Sequence, residues 1–91
     1  MRLVLPASLA EAVDGRRVLQ VVPEAPTVDG LLAALRIQYP RIFTRICDEA
    51  GGVRRYVNIY VDGEDIRDIA SRGGSIVGGT EVLVLQSVAG G

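Results

Sequence analysis

Two hydrophobic periods run through this chain. Val57, Ile59 and Val61 alternate with Tyr56, Asn58 and Tyr60, the two-residue repeat of a strand with one buried face. Val28, Leu31, Leu32 and Leu35 recur at helical spacing, and Tyr39 extends the stripe four residues after Leu35. Thr27 stands where an N-cap belongs, Asp29 puts a carboxylate in the first turn, and Pro40 stops the helix at or near Tyr39. Gly30 inside this segment weakens the helical signal.

Shorter runs fill in the order. Leu3-Val4-Leu5 reads as a strand stopped by Pro6, and residues 17–22 as a second strand. Residues 8–15 are expected to be a loop, which makes the pair a long-looped hairpin. Residues 41–48 predict a short helical turn carrying Ile42, Phe43 and Ile46. After the turn at Asp62-Gly63, residues 64–67 predict a short returning strand and residues 68–79 a loop. Residues 81–85 form the last strand, and residues 86–91 are a small-residue tail expected to be mobile.

The last strand is apolar on both sides. If Val82 and Val84 face the helix, Leu83 and Leu85 point the other way, and Tyr56 and Tyr60 share that second face. One helix across one sheet covers a single face. An uncovered apolar patch marks a partner surface; scattered surface apolar residues or a homodimer contact are the other readings.

Composition narrows the chemistry. Ninety-one residues, 48% of them hydrophobic and 23% charged, make one small folded domain with little room for a deep substrate pocket. A net charge of −1 gives no field for a phosphate backbone, and four aromatic residues are few for base stacking, so no nucleic-acid partner is expected. The chain has no His and no Lys, which removes the commonest general base, Schiff-base chemistry and a P-loop lysine. Cys47 is the only cysteine. It cannot form an intramolecular disulfide or a cysteine metal cluster, has no histidine to activate it, and suits a reducing cytoplasm. No apolar run approaches the roughly 18 residues of a membrane helix, so no membrane partner is expected.

Three motifs invite chemistry. Residues 73–80 have the glycine spacing of a phosphate loop, but Gly79 occupies the lysine position and the segment leads into a strand; it reads as a plain loop. Asp62, Glu64, Asp65 and Asp68 form an acidic cluster without calcium-loop spacing, and read as a solvated turn. The ending Val88-Ala89-Gly90-Gly91 is different. A carboxylate carried on two glycines is slender enough to be threaded into another protein's active site. It is inert until activated, and the activating groups would belong to the partner.

The strand order, the segment Arg55-Tyr56-Val57-Asn58-Ile59-Tyr60-Val61-Asp62-Gly63-Glu64-Asp65-Ile66-Arg67 and the ending from Gly79-Thr80-Glu81-Val82 to Val88-Ala89-Gly90-Gly91 resemble the ubiquitin-like sulfur carriers of the MoaD/ThiS superfamily. The resemblance covers essentially the whole chain. Within the superfamily it points to the cysteine-biosynthetic carriers of actinobacteria, with the small subunit of molybdopterin synthase next; Gln86-Ser87 stands where that subunit commonly has a proline.

The resemblance implies an α+β fold, the β-grasp: a mixed sheet of four to five strands with one main helix on one face. Residues 1–85 would be the domain and 86–91 the flexible tail. It implies a protein co-substrate rather than an enzyme. A partner using ATP and Mg adenylates the Gly91 carboxylate, sulfur transfer makes a thiocarboxylate, and Gly90 provides slender access. An acceptor then takes the sulfur, either a pyridoxal-phosphate enzyme of the cysteine synthase type or the molybdopterin synthase large subunit. No cofactor would be bound by this chain. Leu83 and Leu85 match outer-face positions that meet partners in ubiquitin-like proteins; Tyr56, Tyr60, Val88 and Ala89 complete the expected partner surface. A protein-modifier role, with the tail forming isopeptide bonds, and a plain interaction module are the competing readings.

Overall fold

The computed structural model describes residues 1–87. Its sheet is built from the runs that alternate. Strands β1 (Arg2–Val4), β2 (Val18–Gln20), β3 (Val57–Val61), β4 (Glu64–Asp65) and β5 (Glu81–Gln86) form one five-stranded sheet in the order β2-β1-β5-β3-β4. The central pair, β1 and β5, is parallel and the other neighbours are antiparallel. In the β3–β5 ladder Ile59 lies opposite Val84, Tyr60 opposite Leu83, and Asn58 opposite Leu85. Because side chains alternate along a strand, this register puts Val57, Ile59, Val61, Val82 and Val84 on one face, and all five are buried.

That face is covered by helices. Helix α2 (Val28–Gln38) begins where Thr27 accepts a hydrogen bond from the Gly30 amide at 2.9 Å, with Asp29 in its first turn. Tyr39 and Pro40 divide it from α3 (Pro40–Ile46), since the residue before proline is pushed out of the helical region. Leu31 and Leu35 of α2 and Ile42 and Ile46 of α3 join Leu3, Leu19 and the inward residues of β3 and β5 in one core. Among the described residues no polar side chain is buried.

Two expected loops contain helix. The expected loop over residues 8–15 is largely taken up by α1 (Ala7–Ala10) and a 3-10 turn (Glu11–Val13), which bury Leu9 and Ala12. The Pro6 carbonyl starts this segment by accepting from the Leu9 and Ala10 amides, and Asp14 and Gly15, both at positive φ, end it. The expected strand over 64–67 stops after Asp65, and α4 (Ile66–Ser71) occupies the start of the expected loop. Asp65 caps α4 by accepting from the Arg67 amide at 2.8 Å, while Ile66 and Ile69 turn into the core. The glycine-rich segment after α4 returns along the start of α2, where the Val28 amide donates to the Gly74 carbonyl and the Ile76 amide to the Pro26 carbonyl.

Candidate functional site

The two faces of β5 have different neighbours. Val82 and Val84 are fully buried beneath the helices, whereas Leu83 is half-buried and Leu85 is 43% exposed on the outer face. Tyr60 lies opposite Leu83 in the next strand, half-buried, and Tyr56 is 44% exposed just before β3. The structure thus brings the expected Leu83, Leu85, Tyr56 and Tyr60 together on one outward surface. Val88, Ala89, Gly90 and Gly91 lie outside the described residues.

The root of the tail is held by two hydrogen bonds. The Ser87 amide donates to the Tyr56 carbonyl at 2.7 Å. The Ser8 hydroxyl donates to Gln86 Oε1 at 2.6 Å, which ties β5 to α1. β5 therefore stays in register one residue beyond Leu85, through Gln86. Beside this root is an open recess of about 430 Å³ lined in part by Ser8, Arg45, Arg54, Tyr56 and Gln86. The arginines escaped the sequence reading because Arg45 belongs to α3 and Arg54 to the loop before β3. Only the folded chain brings them to the end of β5.

The other candidate motifs have structural duties. Asp62, at φ 48°, accepts from the Thr80 hydroxyl at 2.9 Å and from the Thr80 and Glu81 amides. The Thr80 hydroxyl, then the two amides, hold its carboxyl below the ordinary aspartate value. Glu64 pairs with Arg72, and Asp65 is a helix cap. The glycine loop spends its backbone on α2 rather than on a phosphate site. Cys47 lies at the end of α3 and is buried. Burial chiefly, with Asp48 adding and Arg54 opposing, pushes its thiol up, which makes it a poor nucleophile. Among the described residues no group of His, Cys, Asp and Glu is arranged to hold a metal ion, and no helix is long and apolar enough to cross a membrane.

Comparison with known proteins agrees with this architecture. The ThiS family model matches residues 3–91. The sulfur carrier protein CysO of Mycobacterium tuberculosis (strain ATCC 25618 / H37Rv) is 32% identical over 89 residues, spanning 96% of this chain and 94% of that protein. The crystal structure of M. tuberculosis CysO superposes with a TM-score of 0.77 at 27% identity, covering 96% of this chain and 98% of the other. SAMP1 from Haloferax volcanii superposes with a TM-score of 0.75 at 30% identity, covering 100% of this chain and 98% of its own. A chain of the Amycolatopsis orientalis BexX/CysO complex does so with a TM-score of 0.76 at 25% identity, covering 99% of this chain and 98% of that one. With the sheet order, the two-sided last strand and a family match that runs through Gly91, the chain belongs to the ThiS family, as a ubiquitin-like β-grasp protein of the ThiS/MoaD sulfur-carrier type.

Proposed function

We propose that this protein carries sulfur on the carboxylate of Gly91. A partner enzyme uses ATP and Mg to convert that carboxylate to an acyl adenylate, releasing pyrophosphate. Hydrosulfide then displaces AMP and leaves a thiocarboxylate. An acceptor enzyme, of the pyridoxal-phosphate cysteine synthase type, takes the sulfur; the likeness to the sulfur carrier CysO supports cysteine as the product. The observation that carries this reading is the match of the ThiS family through residue 91. A chain without His or Lys is consistent with being the substrate of this chemistry and leaving the catalytic groups to its partners. Leu83, Leu85, Tyr56 and Tyr60 form the surface on which those partners seat, with Val88 and Ala89 entering the channel ahead of Gly90. A cytoplasmic setting suits an ATP-dependent partner and a chain whose one cysteine is free.

The test is tandem mass spectrometry of the C-terminal peptide after co-expression with the adenylating enzyme of the same organism. The expected product has one oxygen of Gly91 replaced by sulfur, localised to the tail so that oxidation of Met1 or Cys47 is not mistaken for it. An unmodified Gly91, with the enzyme active on another carrier, overturns the reading. A protein-modifier role is favoured by one observation, the likeness to the small archaeal modifier protein 1 of H. volcanii at 29% identity. Isopeptide-linked conjugates in the same cells, found without any thiocarboxylate, would select it.

A further inference from the structure

Three arginines pair with carboxylates among the described residues, Arg2, Arg67 and Arg72, and of these Arg67 also reaches the Arg54 carbonyl at 3.3 Å. At the end where β5 begins, Arg2 Nε lies 3.8 Å from a Glu81 carboxylate oxygen and Arg72 pairs with Glu64. At the end where Ser87 leaves β5, Arg45 and Arg54 share the recess beside Tyr56 and Gln86. Arg55 immediately precedes Tyr56, whose carbonyl holds the Ser87 amide. None of these three arginines forms an ion pair among the described residues. Arg54 donates to the Thr44 carbonyl at 3.1 Å, which fixes the guanidinium without neutralising it. Asp48 and Glu49 share a separate recess with Arg54, and neither lies within ion-pairing distance of it.

We propose that Arg45, Arg54 and Arg55 form a cationic rim that docks on an acidic protein surface surrounding the entrance through which a partner admits the tail. The identity of that partner rests on the function proposed above. A protein fits better than a nucleic acid because the rim is short and borders the exposed Tyr56. An apolar centre with a charged margin is how protein interfaces are built, whereas a phosphate backbone calls for a longer basic track. Charges at an interface margin act chiefly on encounter, so the rim should raise the association rate and make it depend on salt.

The test uses the whole chain and the adenylating enzyme of the same organism in stopped-flow association at several salt concentrations. Replacing Arg45, Arg54 and Arg55 together by Gln is expected to slow association about tenfold at low salt and to flatten its salt dependence. Arg72→Gln, at the opposite end, is expected to associate as the parent does. A thermal melt checks folding, and the Arg45→Gln, Arg55→Gln double variant keeps the test available should loss of the Arg54–Thr44 bond unfold the chain. An unchanged rate and salt dependence in the triple variant, with the parent thiocarboxylated by the enzyme, overturns the rim and leaves the sulfur-carrier reading standing. A parent that does not bind the enzyme counts against that reading instead. The rim is then judged by arginine Nε–H NMR shifts on adding octaglutamate or an oligothymidylate of equal length. Selective shifts of Arg45, Arg54 and Arg55 with octaglutamate support it. Equal shifts at Arg2 and Arg72, or stronger binding of the oligothymidylate, overturn it.

Discussion

Gly30 is the residue whose role is hardest to see in one dimension. It sits within the first turn of α2, where alanine is favoured over glycine by about 1 kcal/mol on propensity. Yet a Cβ built there would lie 2.2 Å from the Ala25 carbonyl oxygen and 3.0 Å from the Ala25 Cβ. The segment before α2 passes directly over this turn, and only the absence of a side chain allows the approach. The backbone of residue 25 must move to admit a methyl group, and overpacking of this kind costs about 1–3 kcal/mol. The steric cost exceeds the propensity gain. Gly30→Ala should therefore lower stability, by up to about 2 kcal/mol in denaturant unfolding. A more stable variant would show that the segment yields freely. Read as a sequence, Gly30 is a weak point in a helix; in the fold it is a packing requirement.

Elements were legible where a period had room to repeat. β3 and β5 declare their buried faces over at least five residues each, and α2 shows its stripe within eleven, with its cap just before and its proline stop just after. α1 spans four residues and α4 six, too few for a helical stripe to stand out from a loop. α4 still left a signal, since Ile66 and Ile69 are three apart and Asp65 precedes them as a cap; the adjacent turn and the short β4 hid it. The acidic cluster shows how one turn joins elements. Asp62 follows β3 and binds Thr80 and Glu81 at the start of β5. Its depressed folded-state value means that the unfolded chain takes up a proton first as the pH falls. The contribution is complete above about pH 4 and is lost as the pH falls through the folded value. Asp62→Asn tolerates the same positive φ but lacks the charge at every pH. Its melting temperature should lie below the parent's at neutral pH, and the gap should close as the pH falls below about 4 and through the folded value. A constant gap would assign the effect to geometry rather than to charge.

At the scale of the whole molecule, the sheet buries one face beneath helices and turns the other outward. Its open edges are blunted by side chains, since Gln38 bonds the amide and carbonyl of Val22 beyond β2, and Arg67 donates to the Val57 carbonyl beside β3. Such capping discourages strand addition at the edges, while the outer face keeps Leu85 and Tyr56 exposed. That face was readable because β5 is apolar at both phases of its alternation. The tail-root arginines were not, because no sequence pattern links a position on α3 to one before β3. The division of labour predicts opposite outcomes for two neighbouring residues. Val84 is fully buried and Leu85 is 43% exposed. Val84→Asp places a charge among core side chains with no partner and should cost about 4 kcal/mol or more, abolishing the cooperative melt of so small a domain. Leu85→Asp leaves its carboxylate in water and should cost about 1 kcal/mol or less. It should nevertheless weaken binding to the adenylating enzyme at least tenfold in a calorimetric titration, because it puts a charge at the centre of the apolar surface. A parent-like affinity for Leu85→Asp would move the docking surface off this face. A lost melt would show that Leu85 serves the core, and the two-faced reading of β5 would fall with it.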